Sequence, residues 1–187
     1  GFVSMYPQID SVSILWLDGR DTANEPGEDV LDTSMTLRSA VLTTDGQVIR
    51  EQLIDDSVCD CCQTDIAVSS KGPIAVYRNR TAEEIRDIYI TRYIDGQWQT
   101  GVPIHRDNWV IAGCPVNGPS IVATDDNVAI TWFAVVNGSP VVKVVTSDDG
   151  GLTFADPIEV ELHPRQVIPL DLQHVDQKLA QFVRAST

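Results

Sequence analysis

The sequence predicts an all-β chain built from repeating four-stranded units, and three observations carry that reading. Val and Ile together number 39 of the 187 residues, against 11 Leu. Side chains branched at Cβ suit a pleated surface, so this ratio favours strands. Short apolar runs alternate with tight-turn pairs such as Asp95-Gly96 and Asn137-Gly138, which are hairpin signals. The runs also echo one another. Val12–Trp16, Ile74–Tyr77 and Val128–Trp132 are each short, apolar and end near an aromatic, and their starts lie 62 and 54 residues apart. A period of that size, with about four antiparallel strands per unit, points to blades of a β-propeller rather than to a sandwich.

The elements follow in order. The first unit holds Val12–Leu17, a polar excursion from Asp18 to Thr33, then Thr36–Thr43 and Gln47–Ile54 joined through Thr44-Asp45-Gly46. The second runs through Asp65–Ser69, Ile74–Arg78 and Asp87–Ile94 to Trp98, and the third through Pro119–Ala123, Val128–Val135, Val141–Thr146 and Pro157–Glu161. Blades are therefore expected at about 1–58, 59–112 and 113–162. A divergent tail, 163–187, carries Leu172, Val175, Leu179, Phe182 and Val183 at spacings of 3, 4, 3 and 1. That spacing predicts one face of an amphipathic helix near 171–184. The expected fold is an all-β partial propeller of about three blades with a C-terminal helix.

Charge narrows the function. Thirteen Lys and Arg against 27 Asp and Glu leave a net charge of −14, which argues against nucleic acid and anionic lipid as partners because phosphate affinity needs clustered cations. No apolar run approaches the roughly 18–20 residues of a membrane span. The first residues, Gly1 to Met5, lack the basic and apolar regions of a leader peptide. The acidic excursion with Asp18, Asp21, Glu25, Glu28, Asp29 and Asp32 has no EF-hand spacing and reads as a solvated loop.

The most specific motif is Ser147-Asp148-Asp149-Gly150-Gly151-Leu152-Thr153-Phe154. Ser and Asp side chains can bond backbone N–H groups inside such a turn, glycine permits positive φ, and the aromatic tucks beneath. With Ser147, Asp149, Gly151, Thr153 and Phe154 in place, it resembles the Asp-box, or BNR repeat, of sialidase-like β-propellers. Asp95-Gly96-Gln97-Trp98 and Asp45-Gly46-Gln47-Val48 are worn relatives at the same place in the repeat. Cys59-Asp60-Cys61-Cys62-Gln63-Thr64 and Ala112-Gly113-Cys114-Pro115-Val116-Asn117-Gly118-Pro119 precede successive blades. They look like segments of bacterial sialidase-like proteins of unassigned activity. The resemblance covers roughly residues 58–161 and implies an exported protein whose full-length members close a ring of about six blades.

A sialidase clamps its substrate carboxylate with arginines and uses a tyrosine nucleophile activated by a glutamate. Here the Arg-Ile-Pro signature is absent and no catalytic residue carries over. Arg20 and Arg78 leave corresponding strands, so they are candidates for a shared ligand pocket, and Trp109 is the candidate for stacking on a ligand. Trp16 and Trp132 are expected in the core. Cys59, Cys61, Cys62 and Cys114 admit three readings: disulfides, with Cys114 tied to one member of the cluster; a thiolate site for zinc or copper(I), with His105 as a conceivable ligand; or reduced, part-buried thiols. No cofactor is implied.

Three blades fall short of a closed ring, and open edges invite pairing. The expectation is a non-catalytic binding or self-assembly module, a homodimer formed through blade edges and the tail helix, with a glycan or protein ligand. The alternative is a glycan-directed hydrolase completed only in the oligomer.

Overall fold

The structure is a computed structural model that describes residues 2–22 and 34–160. Sheet one contains β1 (Val3–Pro7), β2 (Ser11–Asp18), β3 (Met35–Thr43) and β4 (Val48–Val58), in that order. Sheet two contains β5 (Asp65–Ser69), β6 (Gly72–Arg78) and β7 (Ile88–Ile94), and its outer position is shared by β8 (Gln97–Trp98) and β9 (Val102–Pro103), both paired to β7. The break between them, at 99–101, includes Gly101, where a Cβ would lie 1.8 Å from the Tyr77 hydroxyl oxygen. Sheet three contains β10 (Ser120–Thr124), β11 (Asn127–Val136), β12 (Ser139–Ser147) and β13 (Ile158–Val160). Every neighbouring pair is antiparallel. The three echoing runs fall in β2, β6 and β11, each second in its sheet.

The fold is therefore all-β, which corrects the expectation of an added C-terminal helix. No helix occurs among the described residues, because their apolar positions alternate in and out with the two-residue period of strands. The segment expected to form the helix, 171–184, lies outside the described residues.

Sheet two is the middle layer. Along β6, Ile74, Ala75, Val76 and Tyr77 are all fully buried. Their alternation sends Ile74 and Val76 into a core with Ile121, Val128, Ile130 and Trp132 of sheet three. Ala75 and Tyr77 enter a second core with Leu15, Leu17 and Leu37 of sheet one. A strand buried on both faces reads as a continuous apolar run, which Ile74–Tyr77 is. The first strands gather: β5 lies against both β1 and β10. Ser4 Oγ donates to the Thr64 carbonyl at 2.7 Å, and Asp65 accepts from Ser120 Oγ and the Ile121 N–H at 3.0 and 2.9 Å.

Candidate functional site

The two cysteine-bearing segments meet at the seam between sheets two and three. Cys59 directly follows β4, and its N–H donates to the Arg78 carbonyl at 2.9 Å, which fixes it to the end of β6. Cys61 is bonded to Cys114, 53 residues on, with their Cα atoms 6.0 Å apart. Gly118 N–H donates to Gln63 Oε1 at 2.9 Å. A Cβ at Gly118 would lie 2.0 Å from the Gln63 carbonyl oxygen, so only glycine permits this approach. Cys59 and Cys62 are free and buried, their sulfurs 3.0 Å apart. The Cys59 sulfur is 3.7 Å from that of Cys61.

Two arginines face these sulfurs. Arg86 Nη1 donates to Cys59 Sγ at 3.3 Å, while its Nη2 pairs with Glu84 at 2.7 Å. Arg78 is 2% exposed. It donates to the carbonyls of Asn117 (3.0 and 2.8 Å), Arg86 (2.6 Å) and Phe133 (2.8 Å), and lies 5.0 Å from the centre of the Trp109 ring. Burial pushes its guanidinium below the ordinary value, and the nearby charges of Cys62 and Cys59 act in the opposite sense. The Cys59 thiol is held below the usual range, first by the hydrogen bond from Cys62 and then by the Cys61 N–H and Arg86. Cys62, as donor to that thiolate, is pushed up. The two shifts run in opposite directions, so negative charge on the pair is favoured at Cys59.

The turn Ser147–Phe154 forms a second polar station on the same seam. Ser147 Oγ donates to Asp149 Oδ1 at 2.7 Å and accepts from the Gly151 N–H at 2.9 Å. The Asp149 carboxylate accepts from the Leu152 and Thr153 N–H groups at 2.9 and 3.0 Å and from Thr153 Oγ1 at 2.6 Å. These donors, Thr153 first, hold Asp149 well below the usual carboxylate range. Gly151 has φ of +81°, and a Cβ there would meet Ile74 Cδ1 of sheet two at 2.6 Å. Arg92 on β7 donates to the carbonyls of Gly150 and Gly151, and Ser69 Oγ donates to Gly150 at 2.9 Å. Phe154 packs against the shared core. The turn thus ties itself and also clips sheet three to sheet two.

The expected ligand residues occupy different surroundings. Arg20 is half-exposed and bound to Asp18 at 2.6 Å and Glu51 at 3.0 Å. Asp18 also accepts from Trp16 Nε1 at 2.8 Å, and Arg20 chiefly keeps its carboxyl far below the usual range. Arg78 lies in the seam and shares no hydrogen-bond partner with Arg20. Trp109 is buried beneath Arg78 and edge-on to Phe133 at 5.6 Å. Trp132 is buried in the core as expected, whereas Trp16 is half-buried on the outer face of sheet one. Tyr77 donates to Asp55 at 2.7 Å. Burial first, then the Asp55 charge, pushes its phenol up, the opposite of an activated nucleophile.

Sequence reading missed Arg86 and the Asp107–Lys143 pair. Asp107 accepts from Lys143 Nζ at 2.6 Å and from Trp132 Nε1 at 2.7 Å, with both charged side chains buried. Their partners are 36 and 25 residues apart in sequence, so no local pattern marks them. The features together define an all-β protein with a thiol–arginine centre between two sheets. No family model matches the chain, and no curated protein is similar to it.

Proposed function

We propose that the protein is a non-catalytic self-assembly and binding module whose partner is a second copy of itself. The observation that carries the reading is the outer face of sheet one. The register Val3↔Trp16, Met5↔Ile14 and Val12↔Leu42 puts these side chains opposite Leu15 and Leu17. Leu53, paired with Arg38, joins them. Val3, Met5 and Leu53 are 59, 65 and 47% exposed, and a contiguous apolar sheet face is a recognised interaction surface. Its polar members carry both signs, Arg20 and Arg38 beside Asp18 and Glu51. A two-fold axis through such a patch sets opposite charges against each other, as an isologous interface requires.

The complete Asp-box supports the resemblance to sialidase-like blades, and a blade stabilised on one face calls for a neighbour on the other. Hydrolysis finds less support, since Arg78 is committed to backbone carbonyls and Tyr77 is kept protonated. Light scattering on a sizing column tests the proposal. A mass near twice 20.5 kDa is expected, rising in population with salt as the −14 charges are screened, and Met5→Asp should shift it to the monomer. A monodisperse 20.5 kDa species at micromolar concentration overturns it.

A further inference from the structure

We infer that Cys59 and Cys62 form a binding site for copper(I), held as a two-thiolate complex beside the Cys61–Cys114 disulfide. Three independent observations converge on it. The first is geometric: Cys59-Asp60-Cys61-Cys62 is a C-x-x-C segment whose two free sulfurs are buried and 3.0 Å apart, with the Cys61 sulfur close by. Two soft donors on one short segment can chelate a soft ion, with the sulfurs moving apart to admit it between them.

The second is charge. A buried cation is costly unless an anion compensates it. Arg78 and Arg86 both face the sulfurs, with the buried Asp87 carboxylate near Arg78 and Glu84 paired to Arg86. Two guanidiniums favour a complex that keeps a negative charge: copper(I) with two thiolates carries −1, whereas a divalent zinc with the same two thiolates is neutral. Binding is a proton exchange without oxidation: the ion displaces the S–H protons that remain on the pair, two S–Cu bonds form, and the protons leave to solvent.

The third is the outer shell. Arg86 Nη1 donates to Cys59 Sγ and its own N–H donates to the Trp109 carbonyl at 2.9 Å, so the group that orients the ligand sulfur is itself anchored. Hydrogen bonds of this kind fix ligand position and tune affinity. The Cys61–Cys114 bond keeps a third and fourth thiolate out of the site and holds the two segments around it.

The test is an anaerobic copper(I) titration of the intact, disulfide-bonded protein in competition with bathocuproine disulfonate. One equivalent should resist the chelator, and loading should protect Cys59 and Cys62 from alkylation, read by peptide mass. Cys59→Ser and Cys62→Ser should each lose that equivalent, while the double variant Cys61→Ser/Cys114→Ser keeps it. Arg86→Gln should weaken it about 10–100-fold. Because a buried cysteine variant can fail to fold, the protection measurement on the unaltered protein stands by itself. The inference is overturned if the chelator strips all copper from the unaltered protein, or if loading leaves both thiols reactive. Isolation of a Cys59–Cys62 disulfide, or equal retention of zinc in parallel titrations, also overturns it. None of these outcomes depends on whether the protein dimerises.

Discussion

The two faces of strand β6 make two different seams. Toward sheet one, Ala75 and Tyr77 meet Leu15, Leu17 and Leu37 in a mainly apolar contact, with polar links at its margins such as Tyr77–Asp55 and Gln52–Trp98. Toward sheet three, Ile74 and Val76 enter an apolar core that is flanked by a disulfide, the clipped Ser147–Phe154 turn, buried Arg78 and the Asp107–Lys143 pair. Hydrogen bonds cross both seams, Ser4–Thr64 and Ser57–Arg80 among those at the first, but the covalent bond and the buried charged groups lie at the second. Sheets two and three should therefore open together and sheet one separately, which native-state hydrogen exchange can read strand by strand.

The largest blow to the polar seam is expected from Lys143→Met. It leaves the buried Asp107 carboxylate without its cation, and breaking a buried pair costs about 3–5 kcal/mol. The urea midpoint should fall accordingly, with β10 and β11 losing exchange protection before β2. If β2 loses protection equally, the two seams are one cooperative unit and the contrast fails.

Reduction of Cys61–Cys114 comes next. Releasing a cross-link across 53 residues should cost roughly 2–4 kcal/mol, confined to sheets two and three. Gly151→Ala should cost less, about 1–3 kcal/mol, as a residue with a side chain is forced to positive φ while its Cβ crowds Ile74. Thermal melts of the two, compared with Leu15→Ala at the apolar seam, would show whether the clip or the core dominates. A Gly151→Ala melt indistinguishable from the unaltered protein would remove the Ser147–Phe154 turn from the seam's energetics.

Much of the sheet structure was legible because strands write themselves locally. β-branched runs and Asp-Gly or Asn-Gly pairs placed the hairpins, and the echo of Val12, Ile74 and Val128 marked the second strand of each sheet. The turn chemistry of Ser147 and Asp149 could be derived from residue types alone. The site was less legible, since its partners are remote in sequence. Arg78 read as the polar end of a strand, yet its acceptors are Asn117 and Phe133, 39 and 55 residues away. Trp109 read as a loop aromatic free to meet a ligand, but Arg78 and Phe133 enclose it. Four cysteines permit several pairings, and spacing alone could not single out Cys61–Cys114.

The smallest expected effect is that of acid, and its sign separates the regions further. Asp149 in that turn and Asp18 beside Arg20 both titrate below their ordinary value of 3.8 when folded. A carboxylate depressed in the folded state adds stability at pH above its unfolded value, and that stability is lost as pH falls through the window between the two values. Both contributions are thus complete at neutral pH and decline below about pH 4. Asp149 is held by its own turn, so its protonation should loosen the Gly150–Gly151 clip to Arg92 and Ser69. Asp18 ties Arg20 and Trp16 to the outer face of sheet one, so its protonation should act on self-association. Chemical-shift titration of the Leu152 and Thr153 amides, alongside light scattering at the same pH values, would separate the two. Amide shifts that stay flat between pH 5 and the lowest pH at which the fold survives would show that the Asp149 carboxylate does not sustain the seam.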